Sequence, residues 1–198
     1  MEVERIQQNW DVDVEWVPFL LDPSIPPEGR EREPRTTLDS PKSQLEERGD
    51  SLGIEFRRGR TFTPNSMLSL QAAAFAQEHG TREQQHEFHK AMFETHFTSL
   101  GNLGELDTLK ELASGVGLDA DAMAAALADG RYLEQVDKEI DWARSVGVTG
   151  IPTFILNGQY ALVGAQPYEV FEQAMEQLGA ERFSENGASS AEDAPAES

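Results

Sequence analysis

The run Ile151-Pro152-Thr153-Phe154-Ile155-Leu156, followed by Asn157-Gly158 and then Gln159 to Val163, constrains this chain more than any other stretch. The first six residues are short, β-branched and aromatic. Asn-Gly is a strong two-residue hairpin signal, because the turn needs positive φ at both positions, which Gly takes freely and Asn tolerates. The spacing predicts an antiparallel hairpin. Near the other end, Val12, Val14 and Trp16 alternate with Asp11, Asp13 and Glu15, and Val17, Phe19 and Leu20 follow. That alternation predicts a strand with one polar face, ended by Pro18 and the Asp22-Pro23 turn. Val3 to Gln8, before it, reads as the last turns of a helix.

Between hairpin and strand the apolar period is helical. Pro64-Asn65-Ser66 opens one helix, with Asn65 or Ser66 able to cap it and Met67, Leu70, Ala74 and Phe75 on its apolar stripe. Thr81 caps a second, running to about Leu100, with Phe88, Met92, Phe93 and Phe97 inward. Asp107 to Val116 and Asp119 to Leu127 are shorter helices bounded by Gly115, Gly117 and Gly130. Another runs from Tyr132, with Leu133, Val136, Ile140 and Ala143 at helical spacing, to Ser145–Gly147; Tyr132 and Trp142 read as packing residues. Gly164-Ala165-Gln166-Pro167 leads into a final helix with Val170, Phe171, Met175 and Leu178 on one face. A hairpin returning to a distant N-terminal strand across such a block implies an α/β sheet with an all-helical insertion. The expected organisation is a sheet-bearing core from 1–22 and 148–180, a mobile loop at 23–63, the helical insertion at 64–147 and a disordered acidic tail at 181–198. The loop rests on its five prolines, Pro23, Pro26, Pro27, Pro34 and Pro41.

Composition narrows the function classes. The 198 residues carry 16 Lys+Arg against 36 Asp+Glu, a formal charge of −20. A field this negative repels phosphate backbones, which argues against nucleic-acid binding. The acids are spread over every segment, and only Lys42, Lys90, Lys110 and Lys138 accompany 12 Arg. Such a surface suits high intracellular salt, where a Debye length of roughly 3 Å screens the self-repulsion. No apolar run approaches the ~20 residues of a membrane span, and no signal-peptide layout opens the chain. A cytoplasmic setting with no membrane association is expected. There is no cysteine, hence no disulfide, thiol nucleophile or zinc–thiolate site in these residues.

Several of these segments resemble one family. Trp16-Val17-Pro18-Phe19-Leu20-Leu21-Asp22-Pro23, then Pro27-Glu28-Gly29, is similar to the second strand and following loop of DsbA-like thioredoxin-fold proteins, and within them of the FrnE-like branch, near the 2-hydroxychromene-2-carboxylate isomerases. Pro64-Asn65-Ser66 resembles that branch's entry to its helical insertion. Gly147-Val148-Thr149-Gly150-Ile151-Pro152-Thr153-Phe154 resembles its cis-proline loop, and Gly164-Ala165-Gln166-Pro167 the start of its last helix. The likeness spans roughly Ile6 to Leu178 and implies a thioredoxin-like α/β fold. It also implies a dithiol-disulfide oxidoreductase or isomerase acting on protein or small thiol and disulfide substrates, with Ile151, Pro152 and Thr153 binding substrate. X-Pro bonds adopt cis at only about 0.5–1 kcal/mol, and a cis proline ahead of a strand turns the preceding backbone outward.

The family's first strand and the Cys-x-x-Cys at its first helix are absent. That motif sits at a helix N-terminus because the dipole favours a thiolate. Redox inactivity is therefore expected of the chain as given, and a truncated reading frame is the expected cause. The alternatives are a redox-inactive peptide-binding or chaperone-like domain, and a glutathione-dependent isomerase relative. The first strand is central in the family sheet; without it, unpaired groups on its neighbours cost on the order of 1–3 kcal/mol each if buried, against a net stability of about 5–15 kcal/mol. No cofactor is expected. His86, His89 and His96 share one helix arc, but ten residues at 1.5 Å rise separate the outer two by roughly 15 Å, so no metal site is expected. Asn65 either caps its helix or meets a thiol cofactor's backbone, as the family's glutathione-using relatives do.

Overall fold

A computed structural model describes residues 2–183 of the chain. Its elements run α1 (Glu2–Asn9), β1 (Arg30–Glu31), α2 (Gln44–Ser51), β2 (Phe62–Thr63), α3 (Met67–His79), α4 (Arg82–Phe97), α5 (Leu106–Gly115), α6 (Ala120–Ala128), α7 (Leu133–Ser145), β3 (Thr153–Leu156), β4 (Tyr160–Val163) and α8 (Tyr168–Leu178). They divide into two compact units, one from 1–17 with 144–198 and one from 18–143. Residues 184–198 of the expected acidic tail lie outside the described residues.

In the unit from 18–143, α3 packs on α4, α5 and α6, and α5 packs on α6. Phe75, Phe88, Leu109, Met123, Val136 and Tyr132 are its largest fully covered side chains. Thr81 closes a capping box over α4: its hydroxyl accepts from the Gln84 N–H at 3.2 Å, and Gln84 Oε1 accepts from the Thr81 N–H at 3.0 Å. Burial sets the Tyr132 phenol up at about 12, with the nearby Glu78 carboxylate adding to it. Its hydroxyl lies 3.0 Å from His79 Nε2. Four residues expected inward are not: Phe93 is 53% exposed, Phe97 39%, Leu133 45% and Trp142 47%. Spacing places a residue on a helix face without saying how far the covering extends. Phe97 instead meets Phe56 edge-on at 5.3 Å and stacks along Phe93 at 6.3 Å.

The stretch 23–63, expected as a loop, contains α2 and the β1–β2 ladder, with Arg30 opposite Thr63 and Glu31 opposite Phe62. Helix α2 arises from the capping box of Ser43 and Glu46, which works in a charged sequence with few apolar residues. Arg58 fastens it from outside, donating to Glu46 and to the Ser40 carbonyl. That guanidinium, followed by the Ser43 N–H and hydroxyl, holds the Glu46 carboxyl down at about 2 from its ordinary 4.5. The unfolded chain takes up this proton near pH 4.5 and the folded chain only near pH 2. The stability it contributes is thus complete above about pH 4.5 and lost as pH falls toward about 2. Glu46→Gln should flatten that part of the acid-side stability profile, read from urea midpoints at about pH 6 and pH 3. An unchanged difference between those midpoints would remove Glu46 from acid unfolding.

The other unit joins α1, β3, β4 and α8. Ile6, Trp10, Tyr168, Phe171 and Met175 form its core, with Phe154, Leu156 and Leu162 of the hairpin packed on it. Two expectations change here. Residues 11–20 form no β-ladder among the described residues, since β3 pairs with β4 alone and offers them no register. Residues 181–183, expected in the tail, are ordered against 9–11. Asp11 N–H donates to the Glu181 carbonyl at 2.8 Å, Phe183 N–H to the Asn9 carbonyl at 2.9 Å, and Arg182 lies over the Trp10 ring.

Candidate functional site

The site is the segment from the end of α7 to β3. Gly147, at φ +89, turns the chain out of the helix in a conformation that suits only glycine. The Ile151–Pro152 peptide bond is cis. Two bonds fix the loop: the Thr153 hydroxyl donates to the Gly150 carbonyl at 2.7 Å, and Gly164 N–H donates to the Pro152 carbonyl at 2.8 Å. The three sequence-expected residues thus follow one another along this loop. Ile151 is 56% exposed, Pro152 is exposed and Thr153 half-buried.

Below the loop, the hairpin pairs Thr153 with Val163, Phe154 with Leu162, Ile155 with Ala161 and Leu156 with Tyr160. Asn157 (φ +49) and Gly158 (φ +65) supply the turn. Antiparallel ladders alternate hydrogen-bonded and non-bonded pairs. With Pro152 bonded toward Gly164, the N–H and C=O of Thr153 and Ile155 face away from β4. Nothing among the described residues pairs with that side of β3. The backbone N–H and C=O of Ile151 also form no hydrogen bond among the described residues. One run of main chain, 151 to 155, therefore offers donors and acceptors outward.

Rigid support comes from beneath. Phe154 meets Phe171 edge-on at 4.8 Å. The Tyr168 hydroxyl accepts from Trp10 Nε1 and from Asn9 Nδ2, both at 3.1 Å, while the Arg5 guanidinium lies 3.7 Å from the Tyr168 ring centroid. Sequence reading missed this network, because Asn9 and Trp10 stand 158 or more positions from Tyr168. Residues 147–153 include no ionisable side chain and the chain holds no cysteine. Such a surface can bind a chain but carries no ionisable acid or base and no thiol of its own.

The other expected positions do not converge on it. Asn65 donates to the Ile25 carbonyl at 2.7 Å and accepts from the Met67 N–H at 2.9 Å, so both ends of its amide are engaged at the start of α3. His86 is exposed beside Glu87, His89 Nδ1 lies 3.1 Å from the Gln85 carbonyl, and His96 sits edge-on to Phe97 at 4.7 Å. Among the described residues no group of three or more metal-ligating side chains is assembled. No helix among them is long and apolar enough to cross a membrane.

A cis-proline loop feeding an antiparallel hairpin and a closing helix, in a chain with a large helical segment, defines a thioredoxin-like α/β protein. The model of the DSBA-like thioredoxin domain matches residues 1–176, and the chain belongs to that family. It is 29% identical over 180 residues to the uncharacterized protein YwbO of Bacillus subtilis (strain 168), covering 87% of this chain and 85% of that one. Among solved structures it is similar to a probable DsbA oxidoreductase from Streptomyces coelicolor, with a TM-score of 0.58 and 31% identity. That match covers 67% of this chain and 56% of the other, so the chain spans little more than half of that protein's length.

Proposed function

We propose that Ile151, Pro152 and Thr153, with the outward side of β3, form the substrate-holding surface of a thiol–disulfide oxidoreductase of this family. The substrate is an extended segment bearing a thiol or disulfide, taken up by main-chain pairing as an added strand. The observation that carries this reading is the unbonded, exposed backbone of Ile151 continuous with the open side of β3. Pairing of this kind reads backbone shape more than side chains, which suits substrates united only by their cysteines. Electron transfer is not performed by these 198 residues; exchange at the loop uses thiols from elsewhere, the substrate's own included. In this reading 1–22 and 148–180 are the thioredoxin-like part and 64–147 the helical insertion. The protein works in a salt-rich cytoplasm and belongs with the FrnE-like branch.

The test is an NMR titration of the chain with a short extended peptide carrying an S-alkylated cysteine, so that binding is read without exchange. The amide signals of Ile151, Thr153 and Ile155 are expected to move together, and those of Phe154 and Leu156, bonded to β4, much less. Shifts centred elsewhere, or none at peptide saturation of the solubility limit, would discard the loop as the binding surface.

A further inference from the structure

A second set of polar groups lies in the unit from 18–143. Arg32 follows β1 directly, and Arg60 stands two positions before β2. The antiparallel register runs on past the ladder, since Arg32 N–H donates to the Thr61 carbonyl at 2.8 Å. This brings together two arginines 28 positions apart, and Arg32 Nε donates to the Arg60 carbonyl at 3.4 Å. Arg60 Nη2 is buried and has no hydrogen-bond partner among the described residues. His96, in the last turn of α4, lies in the field of both: burial, then the charges of Arg60 and Arg32, push its imidazole down to about 4. It is therefore neutral near pH 7 and adds no third charge.

Among the described residues no carboxylate pairs with either Arg32 or Arg60, in a chain with 36 acids. Burial and the neighbouring Arg32 both act to lower the Arg60 pKa, and no acidic side chain offsets them. Arg58, two positions away, shows the contrast. It too has one buried nitrogen without a partner, yet its charge is met by Glu46. A guanidinium with a buried nitrogen and no counter-charge is costly, and a second positive charge beside it adds to that cost. A guanidinium fork matches the oxygens of a carboxylate or phosphate in pairs. Charge decides between them. Two arginines carry two positive charges; a carboxylate cancels one, whereas a phosphate monoester at about −1.5 to −2 near pH 7 cancels most or all of both.

We propose that Arg32 and Arg60, with His96 alongside, bind a phosphate dianion, either inorganic phosphate or the phosphate of a small monoester. The overall negative charge excludes a polyanion such as RNA, and a small isolated anion meets only the local positive field.

The test uses the full chain at fixed ionic strength, with sodium phosphate, phenyl phosphate or sodium acetate replacing sodium chloride, and reads the melting temperature. A ligand that binds only the folded chain raises it in proportion to log concentration once saturating. Phosphate is expected to raise it and acetate not to. Arg60→Gln should weaken phosphate binding at least about tenfold and, by removing a covered charge, leave the anion-free chain no less stable. Arg32→Gln carries the same test should Arg60→Gln not fold. A stronger response to phenyl phosphate identifies the monoester as the ligand, and a stronger response to phosphate identifies the free ion. Phosphate also stabilises proteins generally by exclusion from their surface. An equal rise in the wild-type chain and both variants is that general effect, and overturns the site. An equal rise with acetate does so as well.

Discussion

Phe171→Ala is expected to remove about 3–5 kcal/mol of stability, enough to unfold the unit that carries the binding loop. Phe171 is 1% exposed and is the edge-on partner of Phe154, the second residue of β3. Among the described residues the buried cluster around it is Ile6, Trp10, Tyr168 and Met175, with the hairpin leaning on it. A core of that size has few side chains to move into a cavity, so the void stays open and its cost approaches the upper part of the range. Phe171→Leu fills most of the volume and should lose less than about 1.5–2 kcal/mol. Urea unfolding by circular dichroism separates the two. A loss under about 1 kcal/mol for the alanine variant would mean that the hairpin repacks without this ring.

Gly29→Ala is expected to cost about 2–4 kcal/mol, from two sources that a control can separate. Gly29 has φ +82, a left-handed conformation that costs an L-residue about 1–2 kcal/mol. A Cβ built there would stand 2.2 Å from Phe62 Cζ, far inside van der Waals contact, so the ring would have to shift. Phe62 sits opposite Glu31 in a ladder only two residues long, so displacing it disturbs half of that ladder. Overpacking of that kind adds about 1–3 kcal/mol. Gly158, at φ +65, has nothing within 4 Å of the same built atom. Gly158→Ala should therefore show the conformational cost alone. Equal losses at both positions would show that Phe62 swings aside freely.

What the sequence disclosed and what it withheld follow from the range of each signal. Asn157-Gly158 and the alternating apolar residues around it are local, and the hairpin stands where they put it. The helices from α3 to α8 follow from period and caps, Thr81 with Gln84 among them. The alternation at Val12 to Trp16 sorts side chains onto two faces but cannot supply a partner strand, and no ladder forms there. The box of Ser43 and Glu46 was present in the sequence, but no apolar run followed it, so α2 was hidden among prolines and charges. Its one buried residue is Gly49, which no hydrophobic pattern can register. In the binding loop, residues 151–153 were legible from the motif. That β3 turns its remaining amides outward required the register with β4. Arg32 and Arg60 were least legible of all, because two residues of ladder, not any motif, make them neighbours.

The open side of β3 bears on why a chain of this kind carries so much charge. A bare strand edge recruits other strands without discrimination, and copies of the same chain are the ones always at hand. Twenty net negative charges on each copy oppose that encounter in dilute salt, acting as a gatekeeper spread over the whole surface. Concentrated salt withdraws this protection as the screening length shrinks. Solubility there passes from electrostatics to occupancy: whatever lies along β3 also keeps one copy from templating the next.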